Sequence, residues 1–235
     1  MLELKNITYR AGGRDIINNI NLKIDEKFVA FTGPNGGGKS TLAKLISGIY
    51  TPTDGKIFFD GRDITDMSIT DRARLGISYA FQQPVRFKGI TVKDLVSVAS
   101  GKSLSVGEVC DYLSEVGLCA RDYVNREINA SLSGGELKRI EIATILARGT
   151  ELSIFDEPEA GIDLWSFNNL IAVFEKISRE INGSIIIISH QERILNIADR
   201  IIVLSEGQVK DDGTKDEILP GLLRPAACPA LTNKT

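Results

Sequence analysis

A glycine-rich segment, Gly33–Thr41, constrains the fold more than any other feature of the sequence. It reads GPNGGGKST and directly follows Phe28–Thr32, a short apolar run with the pattern of a buried β-strand. Because glycines have no Cβ, such a loop lets backbone N–H groups face phosphate oxygens, and a helix N-terminus adds a favourable dipole. The sequence predicts a strand, a phosphate-binding loop and a helix in this order. The apolar residues at helical spacing are Leu42, Leu45, Ile46 and Ile49.

The spacing within this segment predicts a nucleotide-binding site. Gly33, four intervening residues and then Gly38-Lys39-Ser40 match the phosphate-loop pattern. Lys39 is predicted to reach the β- and γ-phosphates and to take part in catalysis, and the Ser40 hydroxyl is predicted to ligate Mg²⁺. The predicted nucleotide-binding residues of the segment are Gly33, Pro34, Asn35, Gly36, Gly37, Gly38, Lys39, Ser40 and Thr41.

Strand and helix patterns alternate along most of the chain, which is typical of an α/β fold with a mainly parallel sheet. The stretch from Thr91 to about Asn129 differs, because its apolar residues recur at helical spacing and it lacks a strand pattern. We predict a helical lobe at about residues 88–148, inserted into one domain that covers residues 1–220. The Pro- and Ala-rich residues 221–235 are predicted to form a flexible tail.

Charge and composition argue against several classes of function. The net charge of −3 gives no indication of binding to nucleic acid or to an anionic membrane. The longest aliphatic run, Ile185–Ile188, is too short to span a bilayer. The spacings of Cys110, Cys119 and Cys228 match no zinc or iron–sulfur ligand pattern. These features favour a cytoplasmic protein that has no nucleic-acid partner.

Two adjacent carboxylates follow the apolar strand predicted at Leu152–Phe155. They belong to Asp156 and Glu157, and in a parallel sheet ligands lie at the carboxyl ends of the strands. The pair is therefore expected beside the phosphates. Asp156 suits the hydration shell of Mg²⁺, and Glu157 suits a catalytic role in orienting the attacking water.

A second helix start, at Leu132–Glu136, predicts a second anion site, because its glycines leave N–H groups facing outward. Together with the phosphate loop and the acidic strand end, this LSGGE sequence resembles the signature of the ABC ATPase family over about residues 1–218. The resemblance implies a P-loop core with a mixed, mainly parallel sheet, an N-terminal antiparallel β subdomain and an inserted helical subdomain. It also implies Mg²⁺-dependent ATP hydrolysis by a head-to-tail homodimer that forms on ATP binding. Ser133, Gly134 and Gly135 would then contact the ATP held by the other chain.

Three more residues match motifs of this family. Gln82, in the sequence FQQP, matches the glutamine that contacts Mg²⁺ and reports to the partner protein. Asp163, in AGID, matches the D-loop and is predicted to bind nucleotide. His190 is the only histidine in the chain and ends the strand predicted at Ser184–Ser189. It matches the catalytic switch histidine that contacts the γ-phosphate and holds Glu157 in place.

The residue that stacks on adenine in many relatives is not aromatic here. The aligned position is Ala11. Tyr9 lies two residues earlier, on the same face of the strand. It is either a substitute for the stacking residue or a structural tyrosine.

Residues outside these motifs are similar to one branch of the family, the SufC-type ATPases. They are Glu141, the segment Phe81–Val85 and the segment Gln191–Leu195. That branch implies an ATPase that drives iron–sulfur cluster assembly with a SufB/SufD-type scaffold protein. The alternative is the nucleotide-binding subunit of a membrane transporter, held at the cytoplasmic face by a permease that docks near residues 82–89. A third hypothesis, a non-hydrolysing ATP-gated structural module, is disfavoured because Glu157 and His190 are both present.

Overall fold

Two β-sheets form the framework of the chain, and the computed structural model describes residues 1–129, 131–180 and 183–223. The strands are β1 (Leu2–Ala11), β2 (Arg14–Ile24), β3 (Phe28–Thr32), β4 (Asp54–Phe59), β5 (Arg62–Asp63), β6 (Ile77–Ala80), β7 (Leu152–Asp156), β8 (Ser184–Ile188), β9 (Arg200–Ser205) and β10 (Gln208–Thr214). A four-stranded antiparallel sheet has the order β2–β1–β4–β5. A six-stranded sheet has the order β10–β9–β3–β8–β7–β6, and its pairings are parallel except that of β10 with β9. The predicted mixed, mainly parallel sheet and the antiparallel β subdomain are confirmed.

Helices connect and cover these strands. They are α1 (Lys39–Ser47), α2 (Ile69–Arg74), α3 (Val92–Ser100), α4 (Val106–Glu115), α5 (Ala120–Tyr123), α6 (Gly134–Arg148), α7 (Leu164–Glu180), α8 (Glu192–Leu195) and α9 (Lys215–Leu222). Four of them, α3 to α6, lie between β6 and β7 in the sequence, where the helical pattern predicts an inserted lobe. None of the helices in the described ranges is long and apolar enough to cross a membrane.

The six-stranded sheet is buried on both faces. Successive residues of β3 enter different apolar clusters. Phe28 and Ala30 pack with the helices between β6 and β7, whereas Val29 and Phe31 pack with α1 and the antiparallel sheet. In β8, Ile185–Ile188 are fully buried. Burial on both faces explains why the central strands are continuous aliphatic runs without polar alternation.

Four elements do not follow from the sequence pattern, namely β5, α2, β10 and α9. The polar helix α2 is attached through Arg72, whose Nη1 donates to the Leu45 and Ile46 carbonyls at the end of α1, at 2.6 and 2.8 Å. Strand β10 forms the edge of the sheet and has few apolar residues. Helix α9 extends to Leu222, whereas residues 224–235, most of the predicted tail, lie outside the described ranges together with Cys228.

Candidate active site

The predicted phosphate loop connects the carboxyl end of β3 to the start of α1. Lys39 is 5% exposed, and its Nζ donates hydrogen bonds to the carbonyl oxygens of Gly33 at 2.8 Å and Pro34 at 2.9 Å. Burial lowers the pKa of Lys39, and the charges of Glu157 and Asp156 oppose this effect. The Lys39 amine therefore binds the backbone at the start of its own loop, and it lies close enough to Glu157 and Asp156 for their charges to affect its pKa.

Strand β9 and the turn that follows it pack against the phosphate loop. The Gly207 N–H donates to the Gly37 carbonyl oxygen at 3.1 Å, and the Asn18 N–H donates to the Gly207 carbonyl at 2.9 Å. A Cβ placed on Gly33 would lie 2.1 Å from the Leu204 carbonyl oxygen. Backbone packs directly on backbone here, so position 33 has no room for a side chain.

This contact predicts different costs for two alanine substitutions in the loop. Gly33 and Gly36 both have positive φ angles, 124° and 77°, but a Cβ on Gly36 meets no atom within 4 Å. Gly36→Ala should destabilise the fold by about 1–2 kcal/mol through backbone strain alone. Gly33→Ala adds the clash and should cost at least about 3 kcal/mol in urea unfolding. Equal costs would show that the Leu204 backbone moves aside easily.

Asp156 lies at the carboxyl end of β7, beside the phosphate loop, as predicted. Its Oδ1 accepts a hydrogen bond from Ser40 Oγ at 2.8 Å, and its Oδ2 accepts one from the Tyr79 hydroxyl at 2.5 Å. Asp156 is 5% exposed. The predicted metal-ligating residues Ser40 and Asp156 are therefore in direct contact.

The Glu157 carboxylate brings together two other predicted site residues, Gln82 and His190. Its Oε2 accepts from Gln82 Nε2 at 2.6 Å, and its Oε1 lies 3.7 Å from His190 Nε2. Its backbone φ is 46°, in the left-handed region that a non-glycine residue seldom adopts. This conformation is held by the neighbouring strand, because the Glu157 N–H donates to the Ile188 carbonyl at 3.0 Å.

The imidazole of His190 is disposed to remain neutral. Burial lowers its pKa, the Lys39 cation lowers it further, and Glu157 opposes both effects. A neutral imidazole has one N–H donor and one acceptor nitrogen. His190 can therefore donate a hydrogen bond toward the carboxylate or toward a phosphate oxygen.

A buried lysine that the sequence interpretation missed joins the loop after β6 to the loop after β7. Lys138, on α6, is 3% exposed. Its Nζ donates to the Gln82 carbonyl at 2.6 Å and to the Glu157 carbonyl at 3.2 Å. Nothing in the local sequence distinguishes it from a solvated helix lysine, because its partners are backbone atoms that are 56 and 19 residues away.

A second missed contact joins the loops after β7 and β8. Ser189 is fully buried, and its Oγ donates to Glu159 Oε1 at 2.5 Å and accepts from the Gln191 N–H at 3.0 Å. Glu159 Oε2 is buried without a hydrogen-bond partner among the described residues. Burial accordingly raises the pKa of Glu159. These contacts fix the loop that carries His190.

The signature segment starts α6 with a reciprocal cap. Ser133 Oγ accepts from the Glu136 N–H at 3.2 Å, and Glu136 Oε2 accepts from the Ser133 N–H at 2.6 Å. The Ser133 side chain also hydrogen-bonds to the Glu136 carboxylate, which helps to lower the pKa of Glu136. A Cβ placed on Gly134 would lie 3.5 Å from the Gly161 carbonyl oxygen. Asp163 Oδ1 accepts a hydrogen bond from the Ser166 N–H at the start of α7, at 3.0 Å. The signature and the D-loop segment are therefore neighbours.

The aromatic ring of Tyr9 is engaged away from Ala11. Tyr9 stacks on Tyr50, with ring centroids 5.2 Å apart and an interplanar angle of 5°. Tyr50 follows the end of α1, whereas Ala11 ends β1 at the hairpin turn. This pairing favours the structural alternative for Tyr9.

Glu141, on α6, lines an apolar groove with a volume of about 250 Å³ that also contains Phe81, Val85 and Phe87. Its Oε1 accepts from the Phe81 N–H at 3.2 Å. Burial raises the pKa of Glu141 to about 7, although the Lys138 charge and the Phe81 N–H act in the opposite direction. Two of the three features on which the SufC-type resemblance depends, Glu141 and the segment Phe81–Val85, are therefore in contact.

The raised pKa of Glu141 predicts a pH-dependent stability. Below about pH 4.5 the Glu141 carboxyl is protonated in both the folded and the unfolded chain, so its burial does not lower the free energy of unfolding. From there to about pH 7 the unfolded chain ionises first, and stability falls as the pH rises. Glu141→Gln should raise the unfolding free energy by up to about 3 kcal/mol at pH 8 and by little at pH 4.5. Urea unfolding at both pH values tests this. The exposed Glu192→Gln is the control, and a gain that does not depend on pH would contradict the prediction.

The chain belongs to the ABC transporter family, whose model matches residues 17–160. An uncharacterised ABC transporter ATP-binding protein of Methanocaldococcus jannaschii is 38% identical over 227 residues, which cover 93% of this chain and 90% of that protein. The high-affinity branched-chain amino acid transport ATP-binding protein BraF of Pseudomonas aeruginosa is 31% identical over 240 residues and 93% of each chain. The dimeric structure of an ATP-binding cassette in a post-hydrolysis state, bound to ADP and Pi, matches with a TM-score of 0.79 and 26% identity. It covers 92% of this chain and 99% of that chain.

These comparisons confirm the predicted ABC ATPase fold and the predicted ATPase activity. This protein is an ATP-binding subunit of the ABC type, and cassettes of its family form dimers. The names of the two relatives described above refer to transport, and neither refers to iron–sulfur assembly. The predicted SufC-type identity is therefore not supported by these relatives.

Proposed function

We propose that this chain is the ATP-hydrolysing subunit of a membrane transporter and acts as a head-to-tail homodimer at the cytoplasmic face of the membrane. The observation that carries the proposal is the convergence on Glu157 of Gln82 at 2.6 Å and His190 at 3.7 Å, next to the phosphate loop. A non-hydrolysing structural module would not need a carboxylate held in this way. Transport is favoured because the family relatives described above carry transport names.

The phosphate loop binds the triphosphate in this proposal. Backbone N–H groups of Gly33–Thr41 face the phosphate oxygens, and Lys39 exchanges its carbonyl partners for the β- and γ-phosphates. Ser133, Gly134, Gly135 and Asp163 face the ATP of the partner chain, so each ATP lies between two subunits. This geometry gives a use to the exposed start of α6, which lies against the D-loop segment of its own chain.

The residues around Ser40 suit Mg²⁺ in their chemistry. Ser40 Oγ and Asp156 Oδ1 are 2.8 Å apart, and both are oxygen ligands of the kind that Mg²⁺ prefers. The Gln82 amide donates to Glu157 through its nitrogen, so its oxygen remains for the metal. We propose that Ser40, Gln82 and Asp156 hold the ion, which neutralises charge on the β- and γ-phosphate oxygens when bound.

Hydrolysis then proceeds by in-line attack of water on the γ-phosphorus. The bond from the water oxygen to phosphorus forms, the bond to the ADP oxygen breaks, and the water proton passes to solvent or phosphate. Glu157 orients the water, with its own carboxylate held by Gln82 and His190. Lys39 and the His190 N–H stabilise the charge that develops on the phosphoryl oxygens.

The identity of the partner protein that is driven by ATP hydrolysis distinguishes membrane transport from iron–sulfur cluster assembly. Isolation of the full-length protein from its natural membranes in mild detergent, followed by mass spectrometry, identifies what remains bound. We expect an integral membrane permease. Recovery with a soluble SufB/SufD-type scaffold, and with no membrane protein, would overturn the transporter proposal.

The second candidate is a SufC-type ATPase for iron–sulfur cluster assembly. It is favoured by one observation, the contact of Glu141 with the Phe81 N–H, because both belong to the three features that carry the resemblance to that branch. Its partner would be a scaffold protein that docks in the same groove. The isolation experiment distinguishes the two candidates directly.

A further inference from the structure

A tyrosine that belongs to none of the predicted motifs contacts the Asp156 carboxylate. Tyr79 lies on β6, and its Cα pairs with that of Ile154 on β7. From there its hydroxyl reaches Asp156 Oδ2 at 2.5 Å. The ring packs edge-on against Phe81, with centroids 5.0 Å apart. The side chain is thus held at both ends, by the ring contact and by the carboxylate.

Asp156 receives one donor on each oxygen, from two different elements. Ser40 at the start of α1 donates to Oδ1 at 2.8 Å, and Tyr79 on β6 donates to Oδ2. The terminal torsion of an aspartate is otherwise broad. When the Ser40 hydroxyl turns to a metal ion, the Tyr79 hydrogen bond is the contact that keeps the carboxylate facing Ser40.

We propose that Tyr79 is a positioning residue for the magnesium site, because its hydroxyl fixes the orientation of the Asp156 carboxylate toward Ser40. This inference rests on the proposed function, specifically on the metal role of Ser40 and Asp156. A tyrosine hydroxyl is protonated at neutral pH and can therefore donate to the carboxylate. Partners of this kind orient the groups around a metal, and their loss commonly costs about 10- to 100-fold in metal affinity.

The test uses Tyr79→Phe, which removes the hydroxyl and keeps the ring against Phe81. Binding of Mn²⁺ to the full chain with ADP is measured by electron paramagnetic resonance, and ADP affinity is measured separately in EDTA. We expect Mn²⁺ affinity to fall by about tenfold or more and ADP affinity in EDTA to stay unchanged. The control is Tyr112→Phe on α4, which should leave both values unchanged.

Asp156→Asn distinguishes failure of this inference from failure of the proposed metal site. Mn²⁺ binding that is weakened by Asp156→Asn but not by Tyr79→Phe would overturn the role of Tyr79 and leave the metal site intact. Binding that neither variant changes would overturn the metal assignment itself. If Tyr79 acts through Asp156, Tyr79→Phe should add no further loss in the Asp156→Asn background. A full additive loss there, or weaker ADP binding in EDTA, would indicate a general structural role and contradict the proposal.

Discussion

Glu157→Gln is expected to slow ATP hydrolysis by about 10²- to 10⁴-fold and to leave ATP affinity within about threefold of the wild-type value. The substitution removes the negative charge that orients the attacking water. It keeps an oxygen acceptor for Gln82 Nε2, which lies 2.6 Å from Oε2 in the wild-type chain. Phosphate release measures the rate, and calorimetry measures the affinity. Because ATP then persists, gel filtration should also show more dimer with ATP than in the wild type.

The matched control for this variant is Glu175→Gln, on the exposed side of α7. It makes the same chemical change on α7, away from the loops that carry Gln82, Glu157 and His190, and should keep the wild-type rate. A Glu157→Gln rate within a few-fold of wild type would exclude Glu157 as the residue that orients water. Loss of ATP binding would instead indicate a disturbed loop.

Lys39→Ala is expected to reduce ATP affinity by about 10²- to 10⁴-fold, because charge-assisted hydrogen bonds to phosphate are each worth about 1.5–3 kcal/mol. The variant also removes the hydrogen bonds from Nζ to the Gly33 and Pro34 carbonyls at 2.8 and 2.9 Å. Calorimetry with ATP and Mg²⁺ measures the loss. Unchanged affinity would overturn the phosphate assignment.

Lys44→Ala, on the same helix, is the control for that experiment. Its Nζ lies 5.6 Å from the centre of the Tyr50 ring and not at the phosphate loop. It removes the same charge from α1, so it reports any effect of net charge on ATP affinity. We expect an affinity within about twofold of wild type, because the half-buried Lys44 places its cation over the Tyr50 ring and not at the phosphate loop.

Local patterns explain why the phosphate loop and the acidic strand end could be predicted. A strand, a glycine-rich loop and a helix are encoded within Phe28–Ser47, and their chemistry depends on neighbours in the chain. The same holds for Asp156, the last residue of the fully buried strand β7, and for Glu157, which follows it. The sheet order, in contrast, was predicted only as far as the family resemblance implies it.

Long-range partners explain what could not be predicted. Lys138 and Tyr79 are defined by atoms that are remote in sequence, the Gln82 and Glu157 carbonyls and the Asp156 carboxylate. A lysine two residues after Glu136 has the same local pattern whether its amine is buried or solvated. The alternation of apolar and polar residues also does not predict β10, because β10 is an edge strand and an edge strand does not need this alternation.

The turn between β9 and β10 sets the smallest fragment that should bind nucleotide. The residues matched by the family model end at 160, yet the phosphate loop rests on the Leu204 carbonyl and on the Gly207 N–H. A protein trimmed to the matched segment would keep every glycine of the loop but lose the Leu204 and Gly207 backbone on which the loop packs. Boundaries chosen for expression should therefore include β9 and the turn at Gly207, since the phosphate loop near the start of the chain packs on both.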